Sequence, residues 1–164
     1  MGRGEYTALI LEQMQAVLSP AGFSRRAKCF RADRTEAILF VQLQRDKYST
    51  PDWVGVTVNL GVYLRTLQAC ASDWMSSIAK HPCHWYERIG FVTPHEDDQW
   101  WKVENLVAAV EAGAEIAALL TLYCLPILED LASGERLRAY WRDGGDAGIT
   151  DAMRRRYLSL LDGA

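Results

Sequence analysis

The chain has 164 residues, of which 49% are apolar and 24% charged, with a formal net charge of −3. This length suits one ordinary domain with a real core, and the composition excludes a disordered or fibrous chain. The slight acidity argues against a dedicated nucleic-acid binder.

The longest apolar runs are interrupted by Glu111, Glu115 and Pro126, so none reaches the roughly 18 uninterrupted apolar residues of a transmembrane helix. The N-terminal stretch carries Glu5 and Glu12 among its apolar residues and no small-residue cleavage site, so it reads as a first helix and not a signal peptide. A cytoplasmic protein is the expectation. Cys29, Cys70, Cys83 and Cys124 are scattered without a C-x-x-C pair and read as reduced packing residues.

Taken in order, Tyr6, Leu9, Ile10, Met14, Val17 and Leu18 recur at helical spacing, which predicts a helix over 5–18. Pro20 and Gly22 stop it. A short basic strand, Phe23–Arg31, follows and turns at Asp33-Arg34. Ala37–Arg45 then alternates, with Ala37, Leu39, Val41 and Leu43 on one face and Ile38, Phe40, Gln42 and Gln44 on the other. Beyond the loop 46–52, Trp53–Leu64 alternates over twelve residues. Val54, Val56, Val58, Leu60, Val62 and Leu64 point inward; Trp53, Gly55, Thr57, Asn59, Gly61 and Tyr63 point outward.

Residues 66–82 allow one helical stripe through Leu67, Cys70, Ala71, Trp74 and Ile78, ended by Pro82. A fourth strand, His84–Phe91, and a fifth, Gln99–Val103, are read as a hairpin about the acidic turn 94–98. A helix follows from Glu104, with Val103, Leu106, Val107, Val110, Ala114, Ala117 and Leu120 as its stripe and Glu111 and Glu115 opposite. Pro126 opens a new helix, Ser133 caps a third, Gly144–Gly148 forms a flexible link, and Thr150 caps a last helix. The fold class predicted is α+β: an antiparallel sheet of about five strands with helices packed on one face, an N-terminal helix and a C-terminal helical segment, in one domain over 1–164.

Several motifs come in a familiar order. They are Ala21-Gly22-Phe23, the pair Gln42 and Gln44, Val56-Thr57-Val58-Asn59-Leu60-Gly61-Val62-Tyr63, Arg88-Ile89-Gly90, Asp98-Gln99-Trp100-Trp101, and Leu125-Pro126 with Leu128. In this order the chain resembles the bacterial domain-of-unknown-function family 4304 over about residues 8–132, leaving 133–164 as a C-terminal extension. The resemblance brings no catalytic residues. It implies one α+β domain of bacterial type and is compatible with small intracellular proteins that neutralise toxins.

The outward face of the sheet is the surface most suited to recognition. Gln42, Gln44, Thr57, Asn59, Tyr63, Tyr86, Arg88 and Trp100 combine amides, aromatics and an arginine on rigid strands, the chemistry that carries binding energy at interfaces. The acidic loop Glu96, Asp97 and Asp98 adds charge that could meet a basic partner. His81, Cys83, His84 and His95 lack the paired spacing that zinc requires, so no metal or other cofactor is predicted. No nucleophile motif accompanies the histidines. The basic residues Arg25, Arg26, Lys28, Arg31 and Arg34 read as protection of an edge strand.

The expectation is therefore a non-enzymatic, intracellular protein-binding domain, most concretely an immunity protein that neutralises a toxin. Its partner would be another protein, with no membrane and no nucleic acid. The alternative is a small enzyme or ligand-binding domain whose pocket lies near Arg88, His84 and Gln42.

Overall fold

The structure, a computed structural model, describes residues 2–70 and 83–163. The part of the expected 66–82 stripe beyond Cys70 lies outside the described residues. Helix α1 spans Arg3–Leu18 and buries Ile10, Leu11, Met14 and Leu18. The strands are β1 Ser24–Arg26, β2 Cys29–Asp33, β3 Ala37–Arg45, β4 Val54–Leu64, β5 Trp85–Arg88 and β6 Trp101–Val103. All pairings are antiparallel, so the α+β class holds.

Two strand readings need correction. The basic segment 23–31 is not one strand but a hairpin, with Ala27 in the left-handed region (φ 54°) at its turn. The strands read as a hairpin about residues 94–98 do not pair with each other. Both lie along the same edge of β4, with β5 beside Asn59–Val62 and β6 beside Val54–Val56. Residues Ile89–Val92 leave the sheet as a 3-10 turn. Gly90 permits this course. A Cβ there would stand 1.9 Å from the Asp97 carbonyl oxygen, so only glycine lets the turn lie against residues 97–99.

The inner face of the sheet is apolar and closed. Val54, Val56, Val58, Leu60, Val62 and Leu64 are at most 1% exposed and join Leu39, Val41, Trp85, Trp101 and Val103 in one core. The alternation read from the sequence thus places its even-numbered residues as expected. Of the double tryptophan, Trp101 turns inward and is 8% exposed, while Trp100 stays half-buried.

Helix α2, Leu106–Leu119, starts at an Asn105 cap whose side chain accepts the Ala108 N–H at 2.9 Å. Its packed stripe is Ala109, Ala112, Gly113 and Ile116. Of the expected stripe, Val103 and Leu120 are buried and Ala117 half-buried, whereas Leu106, Val107, Val110 and Ala114 are exposed. A Cβ on Gly113 would meet the amide end of the Gln13 side chain of α1 at 2.4 Å, so the two helices approach closely at this glycine.

Pro126 does not break the chain's helical run. The Leu125 N–H reaches back to the Leu120 carbonyl in a π turn over Leu120–Cys124, and helix α3, Leu125–Asp130, continues from it. The run Leu106–Asp130 is long and apolar enough, by length and composition alone, to cross a membrane. In this fold Ala109, Ile116, Leu120, Cys124 and Leu128 of that run belong to the core.

Helix α4, Gly134–Arg142, and helix α5, Asp151–Asp162, carry the expected caps, Ser133 and Thr150. The glycine-rich segment between them packs on the sheet edge. Tyr86 donates its N–H to the Ala147 carbonyl at 3.4 Å, and Gly148 (φ 73°) lies where a Cβ would meet Tyr86 at 2.7 Å.

Candidate protein-binding face

Strand register gathers the outer-face residues. Asn59 lies directly between Gln42 on β3 and Arg88 on β5; Thr57 faces Gln44, and Gly61 faces both Phe40 and Tyr86. Because alternate residues share a face, these side chains form one patch.

Asn59 is its hub. Its amide nitrogen donates to Gln44 Oε1 at 2.8 Å and to Gln42 Oε1 at 3.3 Å, and its oxygen accepts the Tyr86 hydroxyl at 2.7 Å. Arg88 lies two residues beyond Tyr86 on the same face of β5, and Asp98 Oδ2 lies 2.6 Å from its guanidinium. That guanidinium stacks 5.2 Å from the centre of the Trp100 ring. Burial alone would raise the Asp98 carboxyl, but hydrogen bonds from Arg88 and Trp100 outweigh it and hold it below the usual carboxylate value.

One expectation is corrected here. Asn59 and Thr57 point to the outer face but are not open to water: they are 1% and 0% exposed. A buried amide is tolerable only when paired, and Asn59 uses both ends of its amide in doing so. Thr57 donates its hydroxyl to the Gln99 carbonyl at 2.8 Å. What reaches solvent is the rim of the network: the Arg88 side chain is 28% exposed and the Asp98 side chain 44%.

Three predicted residues stand apart. Tyr63 lies with His84 (ring centres 5.0 Å apart) beside a satellite apolar cluster of Ile38, Phe40 and Cys83. Asp97 is exposed and contributes its main chain against Gly90. Glu96 lines a cleft that Trp85 and Glu87 also line. Residues that the sequence reading did not propose extend the rim. Trp53 carries Lys102 over its ring at 5.6 Å, and Lys102 faces Gly55 on the same side as Trp100. The signal was present, since Trp53 shares the parity of Asn59 in its strand.

The expected pocket near Arg88, His84 and Gln42 borders segment 66–82, most of which lies outside the described residues; within them His84 itself is enclosed. This histidine is 0% exposed; Nδ1 accepts the Leu64 N–H at 2.9 Å, which makes Nε2 the donor to the Leu67 carbonyl at 2.9 Å. Burial pushes its pKa down to about 4, outweighing the hydrogen bond to Leu67. Both ring nitrogens are committed to main chain, so the ring is a structural pin. Burial likewise pushes the thiols of Cys83 and Cys124 up to about 12, far from the low pKa of a nucleophilic cysteine. Among the described residues, no three His, Cys, Asp or Glu side chains converge as a metal site.

Comparisons with known proteins agree with the motif order. No curated protein and no solved structure matches the chain. A family model described as "Domain of unknown function (DUF4304)" matches residues 14–130, a span that includes every residue of the Asn59 network. The chain belongs to this DUF4304 family.

Proposed function

We propose that this chain is a non-enzymatic protein-binding domain whose contact surface is the rim of the Asn59 network, centred on Arg88 and Trp100. In its most concrete form it is a bacterial immunity protein that neutralises a toxin in the cytoplasm. The observation that carries this reading is the holding of Arg88. Asp98 and the Trp100 ring hold the guanidinium, yet its side chain remains 28% exposed. A partly desolvated arginine against tryptophan, with its rotamer already chosen, loses little entropy on binding and is the residue type most often found at hot spots.

The test begins with the gene beside this one in the native host. If it encodes a toxin, co-expression with this chain restores growth, and calorimetry gives the affinity of the pair. Arg88→Ala is expected to weaken that affinity by about tenfold or more. An Arg88→Ala, Trp100→Ala double variant that folds and binds as tightly as the original contradicts the proposal.

A further inference from the structure

Strand β5 presents alternate residues to two different surfaces. Tyr86 and Arg88 belong to the Asn59 network, whereas Trp85 and Glu87 line a cleft of about 470 Å³ bounded by the 89–92 turn, α3 and α4. That volume is within the range of ligand pockets.

Its lining has a consistent chemistry. Trp85 is 3% exposed, and Phe91 is 50% exposed. The third ring, Tyr140, is held by its hydroxyl, which accepts the Ala147 N–H at 3.1 Å. The charged groups are all carboxylates, Glu87, Glu96 and Asp130, and among the described residues no lysine or arginine lines the cleft. Asp130 is engaged by Arg136 at 2.9 Å, just outside. Glu87 has the Arg88 main-chain N–H at 3.0 Å. Burial raises its carboxyl above the usual value, Arg88 opposes this, and nearby Asp146 adds repulsion. Trp85, 3% exposed, also carries a buried indole N–H with no acceptor among the described residues.

We propose that this cleft receives an arginine or lysine side chain from a segment of a partner protein. The cation sits against the Tyr140 and Phe91 rings and the Glu87 and Glu96 carboxylates, and a small shift brings a segment carbonyl to the Trp85 N–H. Aromatic faces with carboxylates attract organic cations and repel anions. The unpaired donor calls for a carbonyl, which a peptide carries and a simple amine does not. The proposal rests on the protein-binding reading only for the source of the cation; the site is separate from the Arg88 rim.

The full chain, labelled with ¹⁵N, is titrated with the capped peptide acetyl-Gly-Arg-Gly-amide, with the same peptide carrying neutral citrulline, and with methylguanidinium. The readout is the Trp85 indole N–H. The expected result is a saturable shift with the arginine peptide and affinity roughly tenfold lower or worse for citrulline. A similar loss is expected in the Glu87→Gln, Glu96→Gln double variant. Equal binding of the citrulline peptide, no saturable shift, or an unaffected double variant overturns the site. Methylguanidinium binding as tightly as the peptide overturns the partner segment as source and leaves a free cation. The peptide titration reads the cleft and the toxin affinity reads the rim, so the two proposals fail or survive independently.

Discussion

On the inner face of β4, six aliphatic side chains at most 1% exposed are closed off by other apolar groups of one core. On the outer face Thr57 and Asn59 are as deeply hidden, but Asn59 is closed off by hydrogen bonds to Gln42, Gln44 and Tyr86. The inner face needs volume and shape, which many aliphatic combinations supply. The outer face needs particular atoms at particular places, because each lost partner leaves a buried polar group unpaired. Only the second arrangement also borders a surface side chain, since Asn59 and Arg88 are partners in the strand register.

The comparison is sharpest where its two terms are removed separately. Leu60→Ala deletes inner-face volume at a fully enclosed position and is expected to cost about 3 kcal/mol in urea unfolding. A loss below about 1 kcal/mol means that this face is not the core.

Acidification comes next and acts on paired polarity. The folded pKa of His84 lies below its unfolded value, so its contribution is fully present above about pH 6.5 and is lost as pH falls toward about 4. The full loss approaches roughly 3 kcal/mol. Urea midpoints measured from pH 7 to pH 4 check it, with His84→Phe as the variant in which this part of the slope disappears. An unchanged slope in that variant removes His84 from the account.

Smaller again is Asn59→Leu, which keeps most of the bulk but removes the amide that the Tyr86 hydroxyl, Gln42 and Gln44 share. The expected cost is about 2 kcal/mol, with part of it recovered when Tyr86→Phe is added. A double variant no better than the single breaks the link between those two residues.

The strand alternation and the helix caps were legible because each is a local pattern. The even-numbered residues from Val54 to Leu64, the Asn59 side of the sheet, Ser133 and Thr150 all lie where periodicity or capping chemistry puts them. Long-range geometry was not legible. Nothing in the sequence of β5 and β6 says that both strands share one edge of β4, since that depends on the turn through Gly90. The side of α2 that packs carries small residues, Ala109, Ala112 and Gly113, and periodicity alone favours the larger valines. Alternation assigns Asn59 to the outer face and is silent about the amides and hydroxyl that cover it.

Hydrogen exchange of side-chain amides tests the closed network most directly. The chain has two asparagines, Asn59 and Asn105, and Asn105 is exposed at the start of α2. The Asn59 amide protons should exchange about tenfold or more slowly than those of Asn105 in the same spectrum, and should speed up when Gln42 and Gln44 are both replaced by alanine. Equal rates for the two asparagines would contradict the network, whose rim is the surface on which the binding proposal stands.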